Sequence, residues 1–211
     1  MISLFLDTSY KNLIISIFKD ENILYHFEVE NNNDLSIKLL KEIENAFNSL
    51  NIDINELNKI YVIVGPGSFT GVRIGVTAAK VIAWALDIKV VQLSEIELLA
   101  TSKTDKKYIV PLMDARRGFV YTGMYDKHLK KVIEDKYISL EEILKNIEEN
   151  YKIEDIEFVS YDTFDMVSTT IPKVDVSKLI NKHIKTRSVS PHIVVPNYLK
   201  KTEAEENLKH D

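Results

Sequence analysis

The alternation of apolar and polar positions predicts strands at the start of the chain and helices soon after. Three β-like segments come first, "ISLFL", "LIISIF" and "ILYHFEV", and the polar breaks between them suit hairpins. A helical repeat of Leu, Ile and Phe follows up to Leu50, and then a β-branched segment, "IYVIV". A second helical pattern runs from about Thr70 to Leu86, before the strand "KVVQL". These elements predict an α/β unit.

The same mixture returns more briefly in the second half of the chain. The polar stretch "SKTDKK" separates the halves, and "YIVPLM", "FVYTGMYD", "KVIEDKYIS" and "IEFVSY" read as strands after it. "SLEEILKNIEEN" and "VSKLINKHI" read as helices. The fold class is therefore α/β, with mixed sheets flanked by helices in two related halves, of which the second is reduced.

Polar residues at the helix starts indicate caps. Asn33 or Asp34 is the expected N-cap of the first helix. Ser94 with Glu97, and Ser139 with Glu142, have the spacing of a capping box, in which the serine side chain accepts from the third backbone N–H.

The second long helix is apolar round most of its circumference. Arg73, Thr77 and Lys80 form its one polar stripe, while Gly71, Gly75 and Ala78 share another face. Small residues allow a neighbouring backbone to come close, and a helix this apolar is either buried or covered by a partner.

Composition excludes several classes of function. The 211 residues include no Cys, so disulfides, thiolate metal sites and a cysteine nucleophile are absent. A net charge of −5 argues against a chain that grips nucleic acid alone. The first residues do not have the pattern of a signal peptide, and no apolar run reaches the roughly 20 residues of a membrane span.

The glycine-rich stretch "GPGSFTGVR" follows a strand and opens a helix, as phosphate-binding loops do. It lacks the Lys of a P-loop, and Thr70 occupies the third glycine position of the dinucleotide fingerprint, with Gly71 one residue late. Two interpretations remain open: an anion site at the helix N-terminus, or glycines that permit a tight turn and close helix packing.

Other candidate chemistry is sparse. Asp7, at the end of the first strand, either holds a metal–phosphate group or caps its own turn. Asp114 with Arg116 and Arg117 either recognises an anion or forms a charged turn. The histidines lack the i, i+3 or i, i+4 spacing of a helical metal site, and no catalytic triad is visible.

Four motifs together resemble one family. "LDTS" near the start, "GPGSFTGVRIG", "DARRGFVYTGMY" and "PNYLKK" near the end are similar to the TsaB family, formerly called YeaZ. The resemblance spans the chain from Ile2 to about Lys201. The motif residues are Asp7, Thr8, Ser9, Gly65, Pro66, Gly67, Ser68, Phe69, Thr70, Arg73, Asp114, Arg116, Arg117 and Gly118.

The resemblance implies a two-lobed fold of the actin-like, sugar kinase and Hsp70 (ASKHA) ATPase superfamily. Residues 1–105 would form an N-terminal actin-like lobe carrying the partner-binding helices. Residues 106–211 would form a reduced C-terminal lobe and a polar tail.

The implied role is in tRNA modification. A TsaB protein would be a non-catalytic dimerisation subunit that pairs with its paralogue TsaD and works with the ATPase TsaE. The assembly places threonylcarbamoyl on the adenosine beside the anticodon of tRNAs that read codons starting with A. The resemblance places the assembly in the cytoplasm, away from membranes, with tRNA held only through the complex and a homodimer when the chain is alone.

The resemblance implies no cofactor on this chain, with ATP and metal on TsaD and TsaE. "VVQLSEIELLA" lacks the metal-binding histidine pair of TsaD, and "DTSYKN" lacks the glycine of a phosphate turn. Two rival hypotheses are an ATP-binding actin-like enzyme and a peptidase acting on TsaD. A third is direct tRNA binding, with five lysines as candidates: Lys103, Lys106, Lys107, Lys200 and Lys201.

The implied partner surface is a four-helix contact made by the two long helices. Its expected residues are Leu35, Leu39, Ile43, Gly71, Gly75, Ala78, Ala79 and Ile82.

Overall fold

The first sheet has five strands, arranged in the order β3-β2-β1-β4-β5. The computed structural model describes residues 1–31 and 34–200. The strands are β1 (Ile2–Asp7), β2 (Asn12–Lys19), β3 (Asn22–Glu30), β4 (Leu57–Ile63) and β5 (Lys89–Leu93). The first three pair antiparallel, whereas β4 lies parallel to β1 and β5 parallel to β4. The three opening segments therefore form the expected meander at one edge of a mixed sheet.

Two long helices cover one face of this sheet, α1 (Leu35–Leu50) and α2 (Phe69–Ala85). Alternate strand residues such as Leu4, Leu6 and Ile15 point to that face and form one core with both helices. Both helix predictions are confirmed within one residue of their bounds.

The C-terminal part of the described chain covers the opposite face of the first sheet. Helix α5 (Val176–His183) packs Leu179 and Ile180 against Phe5 and Tyr61. Beyond α5, the Val189 amide donates to the Val90 carbonyl, and the Val90 amide donates to the Val189 carbonyl. The Asn197 amide donates to the Val64 carbonyl at 2.7 Å. The C-terminal part of the described chain thus returns to the first sheet.

The second sheet has four strands in the order β8-β7-β6-β9. They are β6 (Tyr108–Asp114), β7 (Phe119–Asp126), β8 (Lys131–Ser139) and β9 (Ile156–Val159). Helix α4 (Leu140–Asn150) covers one face, and the short helix α3 (Glu95–Leu99) packs on the other. Short 3₁₀ turns lie at Ile54–Glu56, Ile153–Asp155 and Pro191–Ile193.

The layers run α1 and α2, first sheet, α3 and α5, second sheet, α4. Two mixed sheets flanked by helices, the second one strand smaller, confirm the predicted fold class. The predicted boundary at residues 105 and 106 stays a prediction, and the polar tail after Lys200 lies outside the described residues. Within the described ranges, no helix is long and apolar enough to cross a membrane.

The cap predictions have mixed outcomes. Ser139 accepts from the Glu142 amide as expected. Asp34 is the N-cap residue of α1, but its side chain makes no capping hydrogen bond, and Asn33 lies outside the described residues. Ser94 is the N-cap residue of α3 as expected, but the capping box is wrong, because the Ser94 hydroxyl donates to Asp135 at 2.7 Å and Glu97 pairs with Lys182 and His183 instead.

Candidate functional site

The glycine loop between β4 and α2 is held by its own lobe. The Ser68 amide donates to the Ser9 carbonyl at 2.7 Å, and the Gly65 carbonyl accepts from the Glu95 amide at 3.0 Å. The Ser68 hydroxyl caps α2 by accepting from the Gly71 amide. The Gly65–Pro66 peptide bond is cis. The loop therefore lies against the turn after β1.

Two glycines of this stretch are required by close packing. A Cβ on Gly67 would overlap the Ser9 carbonyl oxygen, and one on Gly71 would overlap the Thr8 carbonyl oxygen. The Thr8 hydroxyl also donates to the Gly71 carbonyl at 2.7 Å. Of the two interpretations of the loop, this geometry favours glycines that permit close helix packing.

Asp7 is almost completely buried where β1 ends. Its carboxylate accepts from the Ser9 amide at 2.8 Å, which is the turn cap offered as one of its two interpretations. The Ser9 hydroxyl donates to the buried Glu95 carboxylate at 2.9 Å. Asp7, Ser9 and Glu95 thus form one buried polar cluster between β1 and α3.

Burial sets the protonation of this cluster. Desolvation raises the pKa of Asp7 from 3.8 to about 6, although hydrogen bonds from Ser9 oppose the rise. Desolvation, and then the charge of Asp7, raise the pKa of Glu95 well above its usual value. Two adjacent buried carboxyl groups without a cation favour a shared proton over two negative charges.

The turn between β6 and β7 contains the second-lobe motif. Asp114 accepts from the Arg116 amide at 2.8 Å, and Arg116, Arg117 and Gly118 all have positive φ. This is the geometry of the charged turn offered as one of the two interpretations of the motif.

A polar cleft of about 690 Å³ separates this turn from the glycine loop. Asp162 lies in it and accepts from the Asp114 amide at 2.9 Å, pairs with Lys11 at 3.0 Å and accepts from Tyr10. Within residues 1–31 and 34–200, no three His, Asp or Glu side chains cluster as metal ligands would.

A second hollow of about 500 Å³ lies between α1 and α2 and is mostly apolar. Leu40 on α1 and Val81 on α2 line it and are 60% and 58% exposed. Ile37, Phe69 and Trp84 add to the exposed apolar surface of the two helices. We call these five residues the α1–α2 face.

Most of the expected interface residues lie beneath this face. Leu35, Leu39, Ile43 and Ala79 are in the core of their own lobe, and Gly71 and Gly75 are buried against Thr8. Ala78 and Ile82 are half-buried. Contact of these eight residues with a partner stays a prediction, and the side chains that reach solvent are their neighbours.

Comparisons with known proteins place the chain in a family. A family model described as "TsaD: tRNA N6-adenosine threonylcarbamoyltransferase" matches residues 30–205. The tRNA threonylcarbamoyladenosine biosynthesis protein TsaB of Bacillus subtilis is 31% identical over an alignment that covers 97% of this chain and 96% of that protein. The chain belongs to the TsaB family. The Escherichia coli TsaB is 25% identical over 58% of this chain and 54% of that protein.

Solved structures show that the fold is that of TsaB (YeaZ) proteins. YeaZ from Pseudomonas aeruginosa superposes with a TM-score of 0.74 at 18% identity, covering 93% of this chain and 100% of that one. A second P. aeruginosa structure, of an uncharacterized protein with similarity to peptidase YeaZ, gives 0.76 at 18% identity, covering 94% and 99%. The resemblance drawn from the motifs is thereby confirmed.

Sequence reasoning missed two parts of the site. The sequence did not indicate that Glu95 belongs to the site, because Ser94 and Glu97 beside it have capping-box spacing. Its partner Ser9 lies 86 residues away, and no local pattern predicts such a contact. Tyr198 stacks on Phe69 with ring centroids 5.8 Å apart and accepts from the Arg73 guanidinium at 2.9 Å. The motif "PNYLKK" contained the only signal for that contact.

Proposed function

We propose that this TsaB-family chain is the non-catalytic interaction subunit of the cytoplasmic assembly that makes N6-threonylcarbamoyladenosine in tRNA. It pairs with a TsaD-type subunit, which supplies the catalysis, and works with the ATPase TsaE on the adenosine beside the anticodon. The observation that carries the proposal is the apolar, solvent-exposed α1–α2 face.

The size of the exposed side chains supports a partner at this face. Ile37 is 71% exposed and Trp84 is 67% exposed, on adjacent helices of one lobe. Contiguous apolar surface of this kind marks interaction sites in soluble proteins, and buried Trp side chains are enriched among residues that dominate binding energy. The same face would pair two copies when the chain is alone.

The hydrogen bonds within the glycine loop and the turn after β1 support a role other than nucleotide hydrolysis. In phosphate-binding loops the backbone N–H groups are free to meet the ligand, whereas the Ser68 amide here donates to Ser9 and the Gly71 amide to Ser68. Asp7 is 2% exposed and engaged with Ser9. These contacts fit a lobe that serves as a rigid platform for the α1–α2 face.

Light scattering on a size-exclusion column tests the proposal. We expect the chain to self-associate alone and to form a heterodimer when TsaD from the same organism is added. Leu40→Asp with Val81→Asp should abolish both, because each places a charge at the centre of the contact. Both positions are exposed, so the melting temperature should stay close to that of the unmodified chain.

Ile171→Asp is the matched control, since Ile171 is 70% exposed but belongs to neither helix. It should pair normally. Heterodimer formation by the Leu40→Asp, Val81→Asp variant would refute the assignment of the α1–α2 face. A mixture that never forms a complex, with or without tRNA and TsaE, would refute the proposed function itself.

A further inference from the structure

Two lysine-rich loops of the second lobe lie side by side. Residues 102–107 ("SKTDKK") lead into β6, and residues 126–131 ("DKHLKK") join β7 to β8. The register of β6 and β7 pairs Tyr108, the first residue of β6, with Asp126, the last residue of β7. The loop before β6 therefore lies beside the loop after β7. Sequence positions about twenty residues apart therefore share one edge of the second lobe.

Five exposed lysines make up this surface, which we call the lysine edge: Lys103, Lys106, Lys107, Lys127 and Lys130. They line two adjoining hollows of about 710 and 450 Å³ that share Asp105 and Lys127. The two loops contain six lysines and two aspartates, in a chain whose formal net charge is −5. Positive charge is thus concentrated at one place on an acidic protein.

The ammonium groups of the lysine edge are not neutralised by fixed ion pairs. Across residues 1–31 and 34–200, none of the five forms a salt bridge with a carboxylate. Lys106 donates to the Glu154 backbone carbonyl at 2.9 Å, and Lys107 lies over the Tyr108 ring. The Asp126 carboxylate accepts from the His128 and Lys130 amides, and Glu154 and Asp155 also line the larger hollow without forming a salt bridge with any of the five lysines. The charge of these lysines is therefore available to a ligand.

We propose that the lysine edge binds the phosphate backbone of the tRNA while the chain is part of its assembly. Flexible lysines act as point charges towards phosphate and do not read base edges, so the contact would be independent of sequence. The inference rests on the proposed function, and it gives the second lobe a role in holding the substrate. Lys200, also considered from the sequence, lines the cleft between the lobes instead, and Lys201 lies outside the described residues.

The lysine edge and the α1–α2 face lie on different layers of the molecule. Helices α1 and α2 cover the outer face of the first sheet, whereas the lysine edge belongs to the second sheet. A partner seated on α1 and α2 therefore leaves the lysines exposed. This arrangement makes an RNA contact compatible with the chain's net charge of −5, because exposed charges farther than a Debye length from the phosphates are largely screened by salt.

The test measures tRNA affinity of the assembled complex by fluorescence anisotropy over a series of salt concentrations. The variant is Lys127→Gln with Lys130→Gln, and the control is Lys19→Gln with Lys89→Gln, which removes two exposed lysines of the first lobe. We expect the variant to weaken binding about tenfold at low salt and to reduce the slope of log Kd against log salt by about two, one for each lost phosphate contact. The control should match the unmodified complex.

Size-exclusion chromatography of the same samples distinguishes a failure of this inference from a failure of the proposed function. A complex that assembles normally but binds tRNA with unchanged affinity and salt slope overturns this inference and leaves the proposed function standing. A variant that loses TsaD or TsaE from the complex also overturns it, because the lysine edge would then be a protein contact. If no complex forms even with the unmodified chain, the proposed function fails and the inference fails with it.

Discussion

Asp7 and Glu95 are adjacent carboxyl groups in the interior, and no lysine or arginine among the described residues pairs with either. Desolvation is the largest cause of the raised pKa of both. Such a pair costs stability when it ionises, because the charged forms lose their hydration and repel each other.

The folded chain should therefore become less stable as the pH rises through about 6. Below about pH 4, Asp7 is protonated in both the folded and the unfolded chain, so it costs nothing. Between its ordinary pKa of 3.8 and its folded pKa of about 6 the folded state binds the extra proton, and stability falls as the pH increases. Urea unfolding at pH 5 and pH 8 should show the lower midpoint at pH 8.

Asp7→Asn should remove the part of this dependence that comes from Asp7. The amide oxygen can still accept from the Ser9 amide, and the pKa of Glu95 loses the contribution of the Asp7 charge, whereas desolvation still raises it. A shift of this size corresponds to on the order of 3 kcal/mol, so at pH 8 the variant should melt several degrees higher than the unmodified chain. Asp165→Asn, at an exposed position, is the control. Equal melting temperatures for Asp7→Asn and the unmodified chain at pH 8 would contradict the account of the pair.

Gly75 is a second residue for which the structure predicts a measurable effect, because it packs against Thr8. From the sequence we expect Gly75→Leu to weaken partner binding, but a Cβ at this position would overlap the Thr8 hydroxyl inside the lobe. Gly75→Ala should destabilise the chain itself by roughly 1–3 kcal/mol. Thr8→Ala should cost about 1 kcal/mol through its lost hydrogen bond to Gly71. In the double variant the two costs should be clearly less than additive, because the clashing atom is gone; strict additivity in denaturant unfolding would argue against the contact.

At the scale of elements, the sequence predicts the strands and long helices well because burial repeats with their periods. It does not predict which helical side faces outwards. Leu39 and Leu40 are adjacent and chemically identical, yet Leu39 is 1% exposed and Leu40 is 60% exposed. The rotation of α1 about its axis on the sheet determines which of the two side chains is buried, and that rotation depends on contacts between segments distant in sequence. For the same reason the buried Asp7 and Glu95 pair could not be predicted locally.

The C-terminal segment is fixed to α2 by a few specific contacts. The Arg73 guanidinium lies over the Phe69 ring and donates to the Tyr198 hydroxyl, and the Lys80 ammonium donates to the Val194 carbonyl at 2.8 Å. Tyr198→Ala removes the aromatic stack that ends the segment. The Asn197 amide, which donates to Val64, should then exchange its hydrogen faster, while the amides of β1 stay protected.

Hydrogen exchange followed by mass spectrometry measures this effect, with Tyr151→Ala as a control that removes an aromatic contact in the second lobe. Unchanged exchange at Asn197 in Tyr198→Ala would show that the backbone pairing near Val64 suffices to hold the segment. Faster exchange throughout β1 would show instead that the segment and the first sheet open as one unit.

At the scale of the whole molecule, the two halves of the chain do not fold as separate consecutive pieces. Leu179 and Ile180 of α5 cover the face of the first sheet that presents Phe5 and Tyr61, although about 80 residues separate β5 from α5. A fragment of residues 1–105 would expose that face to water. Because apolar burial contributes about 25 cal/mol per Å² and a domain is stable by only about 5–15 kcal/mol, losing one covered face is enough to unfold it.

We therefore expect residues 1–105 alone to bind the dye ANS and to unfold without a cooperative transition. Joining residues 174–200 to the fragment through a flexible Gly/Ser linker should restore cooperative unfolding, since α5 and the strand-like contact at Val189 are then supplied again. The same fusion with Leu179→Asp and Ile180→Asp controls for added length and should stay unfolded. Cooperative unfolding of the bare fragment would mean that α1 and α2 alone stabilise the sheet, and that the return of the chain is dispensable for the first lobe.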